Sequence, residues 1–396
     1  MVVLSLTFYI FYKDVKSVNK NILNTSILFR AIDKSVLFVG TILIIISFFI
    51  LSEILFNSYY YKSSLLPFTI LPNFLSSLIF GIFSFKFFQW YKNNRESYVV
   101  LLFGLAFIIF CFSNIFVSVG DAYLISTHKS ELIDPSTEVT YYDFEEGSFF
   151  NVYFDLYAFL DLGMFFCFYL GSILMLYPYS RKIGRTKFWL LMLIPLISQL
   201  FTLVDSFNIM DTDTDENLFY FYLVSIWEQA LVGFLFGFVF WKISKQIDED
   251  NPIRKYLRMV GLGFILFYIS NQSSVFLSSY PPFGLLCLTM LTISAYFVVT
   301  GLYSSAISIS QNLNLRKSIK KISLNDANFL SSIGKGEMEG TVKKTVSNLK
   351  NIINEQEKEM EEKTGIETQL STNEMEDYLQ QVVEETLKVR NKKKSN

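Results

Sequence analysis

The stretch 98–119, YVVLLFGLAFIIFCFSNIFVSV, contains no Asp, Glu, Lys or Arg. At about 1.5 Å of rise per residue, a helix of this length covers the roughly 30 Å hydrocarbon core of a bilayer. An α-helix also satisfies its backbone N–H and C=O groups internally, as lipid demands. Seven further stretches read the same way: 35–56, 65–90, 151–177, 188–207, 218–244, 259–277 and 284–308. The expected fold class is therefore all-α, a polytopic membrane helical bundle of about eight transmembrane helices. Composition agrees, since 52% of the 396 residues are hydrophobic and only 18% charged. A mean hydropathy of +0.37 is too apolar for an ordinary soluble domain. The opening run Val2–Tyr12 is too short to cross and has no cleavage-type small residues, so it reads as an interfacial anchor.

The connectors alternate in charge. Segments 13–34, 91–97, 178–187 and 245–258 hold 15 Lys/Arg against 6 Asp/Glu, whereas 57–64, 120–150, 208–217 and 278–283 hold 2 against 11. Basic loops stay on the cytoplasmic side, which places both termini inside a plasma membrane, as an even number of spans also requires. The chain then divides into a cytoplasmic or interfacial segment 1–34, an eight-span bundle 35–308 with an extracytoplasmic loop 120–150, and a cytoplasmic tail 309–396, helical and partly disordered.

Within the spans lie five acids, Glu53, Asp155, Asp161, Asp205 and Glu228, and two lysines, Lys86 and Lys242. Both lysines fall near inner helix ends, where their stems reach the headgroups. Three acids sit near outer ends, but Asp161 and Glu228 lie roughly 15 Å deep. An ionised Asp at a helix centre costs about 3 kcal/mol, so an unpaired one must be protonated, hydrated or bound to a cation. Gln199, Asn114 and Asn271 with Gln272 lie at compatible depths, and Tyr157 and Ser225 share helical faces with the two deep acids. The candidate ligand- or ion-binding residues are thus Asp161, Glu228, Gln199, Asp155, Asp205, Asn271 and Tyr157. The competing reading makes them polar ties between helices.

Several chemistries lack their residues. One histidine, His128, excludes bis-histidine haem ligation within the bilayer and histidine metal cages. Cys111, Cys167 and Cys287 are widely spaced, so neither a disulfide framework nor a zinc site follows. Asp211–Glu216 alternates aspartates like the start of a calcium loop but lacks its central Gly and distal Glu, and reads as a solvated acidic loop. No catalytic residue, metal, cofactor or nucleic-acid partner is expected.

The tail opens with a basic patch, Arg316, Lys317, Lys320 and Lys321, placed for anionic inner-leaflet lipid or as a plain positive-inside stop. Gly334, Gly336 and Gly340 read as a hinge. Beyond them Val346, Ile353 and Met360 form one heptad series and Val342 with Leu349 a second, a short coiled coil at most. Ser371 and Glu374 then open a second amphipathic helix.

A multi-span bundle whose last helix continues into a cytoplasmic helix resembles the input regions of prokaryotic sensor kinases. The tail, with YSSAISIS at 303–310 and SIGKGEME at 332–339, is similar to that of multi-pass membrane proteins of ammonia-oxidising archaea. The first resemblance implies signalling, and the second implies a context without chemistry. The functional expectation is a receptor-like or sensory membrane protein without its own catalytic domain. It would signal through the tail to a cytoplasmic protein or a second copy of itself. A proton- or cation-coupled transporter using the same acids is the alternative, and a structural or assembly role is the third.

Overall fold

Helix boundaries follow capping chemistry as much as hydropathy, and the ninth helix shows this best. In a computed structural model, the described residues are 2–18, 27–57, 60–61, 64, 66–95, 97–127, 132–133, 149–206, 215–249, 251–271, 284–312 and 328–364. They form α1 (Val2–Val18), α2 (Ile27–Asn57), α3 (Leu66–Asn93), α4 (Tyr98–Thr127), α5 (Phe149–Leu176), the one-turn α6 (Ser180–Ile183), α7 (Arg185–Ser206), α8 (Asp215–Ser244), α9 (Pro252–Ser270), α10 (Gly284–Gln311) and α11 (Asn328–Thr364). The stretch expected at 259–277 is instead helical from Pro252. Asn251 accepts a hydrogen bond from the Ile253 N–H at 3.0 Å, and Pro252 at the first helical position has no N–H to leave unpaired. The helix therefore begins among Arg254, Lys255 and Arg258, and Asn271 caps its other end, its N–H donating to the Phe267 carbonyl.

Among the described residues the protein is all-helical apart from a two-residue antiparallel pairing of Tyr60 with Ile133 and Tyr61 with Leu132. Among the described residues, five helical segments are long and apolar enough to cross a membrane: Phe29–Asn57, Leu66–Asn93, Tyr98–Gly120, Leu156–Leu176 and Thr289–Gln311. The other three expected spans fall in α7, α8 and α9. The bundle also starts earlier than residue 35, because α2 already begins at Ile27 and takes Arg30, Asp33 and Lys34 into its first two turns. Gly184, at φ 97°, occupies the left-handed region after α6 and turns the chain into α7.

Six helices close a ring, in which α3 packs on α4, α4 on α5, α5 on α8, α8 on α9, α9 on α10 and α10 on α3. Gly237 of α8 and Gly261 of α9 bring two backbones so close that a Cβ on Gly237 would lie 2.5 Å from the Gly261 carbonyl oxygen. The ring is filled with phenylalanine. Phe80 stacks on Phe107 with centroids 5.0 Å apart, Phe107 meets Phe168 at 5.4 Å, Phe168 meets Phe264 at 5.3 Å, and Phe264 stacks on Phe240 at 5.4 Å. Such contacts contribute beyond the area they bury, through edge-to-face and offset-stacked geometry. Outside the ring, α7 lies against α5 and α8, and α1 and α2 lie against α10. α1 lies against α10 and α2, with Phe8 filling the notch at Gly40.

The expected hinge in the tail is a correction. Residues 328–364 are one continuous helix, α11, packed on α10, α3 and α4. Its glycines serve close approach, since a Cβ on Gly334 would run into Ile309 Cγ2 and one on Gly336 would meet Trp90 Cα at 2.9 Å. Tertiary packing offsets the roughly 1 kcal/mol that each glycine costs a helix. The patch at 316–321 and the helix expected after Ser371 lie outside the described residues.

Candidate functional site

Helical period carries the ring's aromatic core into a polar layer, at the end of the bundle away from α11. On α3, Ser76 precedes Phe80 by one turn and Phe83 by two. On α4, Asn114 follows Phe110 by one turn and Phe107 by two. On α5, Asp161 precedes Phe165 by one turn and Phe168 by two, and on α9 Tyr268 follows Phe264 by one turn. Phe80, Phe107, Phe110, Phe168, Phe264 and Phe267 meet one another inside the ring. Ser76, Asn114, Asp161 and Tyr268 therefore line the continuation of that interior.

Contacts along the helices fix the depth. Gly120 of α4 lies against Tyr153 of α5, Gly163 against Ile109, and Gly171 against Phe103, so antiparallel pairing puts Asp161 and Asn114 at nearly one level. On the outer flank of α5, the Tyr169 hydroxyl donates to the Met192 carbonyl at 2.8 Å. Two turns further along, this register brings the buried Gln199 of α7 to the depth of Asp161. Across the interior, the Tyr268 hydroxyl lies within electrostatic reach of the Asp161 carboxyl group. The Asp161 side chain is enclosed deep in the bundle yet keeps some accessible surface.

This layer leaves its hydrogen bonds unmade. Tyr268 Oη, Asn114 Nδ2, Ser76 Oγ and Ser77 Oγ are buried without a hydrogen-bond partner. The other such atoms among the described residues, Glu53 Oε2, Ser172 Oγ and Arg254 Nε, are scattered. A buried polar atom without a partner costs about 1–3 kcal/mol, so a cluster of four marks a place where water or a ligand completes the bonding. Its inventory is one carboxyl group, three hydroxyls that donate and accept, and one amide N–H donor. Among the described residues, no group of three His, Cys, Asp or Glu side chains is arranged to hold a metal ion.

Of the residues expected from sequence, Asp161, Gln199 and Asn114 share a level. Tyr157 lies half-buried one turn from Asp161 on α5. Asn271 is the cap of α9. Asp155, Asp205 and Glu228 lie on α5, α7 and α8, their side chains outside the described residues. Tyr268, Ser76 and Ser77 were not anticipated. The available signal was a tyrosine one turn beyond Phe264 in a phenylalanine-rich face, and a serine pair one turn before Phe80.

Sequence reasoning also passed over Asp33, counted among the cytoplasmic loop charges. It is buried, and its Oδ2 accepts from the Tyr12 hydroxyl of α1 and its Oδ1 from the Tyr296 hydroxyl of α10, each at 2.9 Å. The comparisons name no relative for the chain: no family model, curated protein or solved structure matches it.

Proposed function

We propose that this chain is a receptor-like membrane protein of eight spans with both termini cytoplasmic. A proton or small polar ligand held by the layer around Asp161 alters the packing of the ring, and α11 carries the change to the cytoplasm. The observation that carries this reading is shared support. α3 and α4 bear Ser76, Ser77 and Asn114 toward one end, and toward the other they hold α11 together with α10. Trp90 Nε1 of α3 donates to Glu337 Oε2 of α11 at 2.7 Å, and Asn93 Nδ2 donates to the Gly336 carbonyl at 3.1 Å. The resemblance to sensor-kinase input regions accords with this layout, as does the excess of Lys/Arg in the connectors assigned inside. The partner of α11 and the tail would be a cytoplasmic protein or a second copy of the chain.

The lone carboxyl group in the layer also suits a proton- or cation-coupled transporter. Against continuous passage stand Phe83, Phe87, Phe103, Phe107 and Phe329, which fill the ring between the polar layer and α11. One experiment separates the readings. The chain is reconstituted in phosphatidylcholine and phosphatidylglycerol vesicles with an environment-sensitive fluorophore at the exposed position Lys344→Cys, in a background where Cys111, Cys167 and Cys287 are alanine. Proton, sodium and potassium flux are measured in parallel. A pH- or cation-dependent response of the fluorophore that Asp161→Asn abolishes, without flux, supports a receptor. Flux abolished by Asp161→Asn replaces the receptor with a transporter, and silence in both assays leaves a structural protein.

A further inference from the structure

A second buried carboxylate, unrelated to the polar layer, is built differently. Asp33 lies in the second turn of α2 with only 7% of its surface exposed. Each of its oxygens takes one phenolic hydrogen, Tyr12 from α1 and Tyr296 from α10. The elements packed on α2 carry Lys13, Asp14 and Lys16 on α1 and Lys86 and Lys92 on α3, and α10 carries no charged residue at all. None of these forms an ion pair with Asp33 among the described residues. Lys16 lies over the Tyr12 ring at 5.6 Å and Lys86 over the Tyr303 ring at 5.9 Å. Arg30 and Lys34, on α2 itself, are exposed.

We propose that Asp33 is a proton-binding site that controls the docking of α1. Two hydroxyls donate to one carboxyl group fully only while it is ionised, because a protonated carboxyl must itself donate from one oxygen. Proton uptake reverses one of the two bonds and leaves that tyrosine hydrogen buried without an acceptor. It also removes the charge that strengthens both bonds. α1 and α10 are then no longer joined through a common anion. The helix keeps Phe8 in the notch at Gly40, the Phe11–Phe297 ring contact at 5.6 Å, and the contact of the Tyr9 hydroxyl with Thr41 Oγ1 at 3.5 Å, so it loosens rather than unfolds. The sign is fixed: α1 is held at high pH and released as pH falls through the Asp33 titration.

The test uses the full chain in lipid nanodiscs, with Cys111, Cys167 and Cys287 replaced by alanine and spin labels at the exposed positions Ile10 of α1 and Phe38 of α2. Inter-label distance is followed between about pH 4 and about pH 9. One narrow distribution at high pH that broadens reversibly on acidification is expected. Asp33→Asn should abolish the transition. Tyr12→Phe and Tyr296→Phe, which keep the ring and delete only the hydroxyl, each remove a donor to the ionised form and should move its midpoint to higher pH. Asp161→Asn should leave the transition unchanged, which separates this site from the polar layer. A distribution independent of pH in the wild type, a transition that survives in Asp33→Asn, or tyrosine variants that loosen α1 without moving the midpoint would each overturn the proposal.

Discussion

The two ends of the helix ring are filled in opposite ways. Toward α11 three side-chain contacts are matched, Trp90 with Glu337, Asn93 with the Gly336 carbonyl, and Lys343 Nζ with Asn93 Oδ1 at 3.2 Å, while Ser172 Oγ is buried without a partner. Phe329 enters the core between them, 5.5 Å from Phe103 and 6.1 Å from Phe240. At the opposite end Ser76 Oγ, Ser77 Oγ, Asn114 Nδ2 and Tyr268 Oη are more deeply buried and have no protein hydrogen-bond partner. Burial with complementary partners stabilises a fold, whereas burial without them lowers stability and leaves capacity to bind. Matched bonds join α11 to one end, and unpaired buried polar atoms mark the other.

Phe329→Ala should break the joint most severely, costing about 3 kcal/mol through lost burial and a residual cavity. Faster proteolysis of residues 328–346 in nanodiscs would register it, and unchanged protection would show that α11 is not anchored through its phenylalanine. Gly336→Ala comes next. Its methyl group would sit 2.9 Å from the Trp90 backbone, so overpacking should cost about 1–2 kcal/mol, read as a lower midpoint of thermal unfolding in detergent. Asn114→Leu is the smallest change and the one with opposite sign. Removing a buried amide whose N–H has no acceptor should leave stability unchanged or raise it by about 1 kcal/mol. Loss of stability on the scale of Phe329→Ala would show that Asn114 is a polar tie, and would erase the contrast between the two ends.

The helices at 98–119 and 284–308 were legible because hydropathy and length are one-dimensional properties. That Asp161 falls within a long apolar helix was legible for the same reason. Asp33 was misplaced because it stands among Lys and Arg in sequence, and charge counting assigns a whole segment to water. Gly334, Gly336 and Gly340 were misread because the same residue type serves a bend and a close helix contact. Only the surface met by the helix distinguishes the two.

Sequence alone determined that the chain is an apolar helical protein and that carboxyl groups fall within its apolar stretches. Only the tertiary structure decided that Tyr268 comes within electrostatic reach of Asp161, that α11 returns to the ring, and that Tyr12 and Tyr296 converge on Asp33. Those last two hydrogen bonds join residues 21 and 263 positions apart. Helical period relates residues within a few turns. Pairings across such distances are set by the side-chain surfaces that fit when the helices assemble.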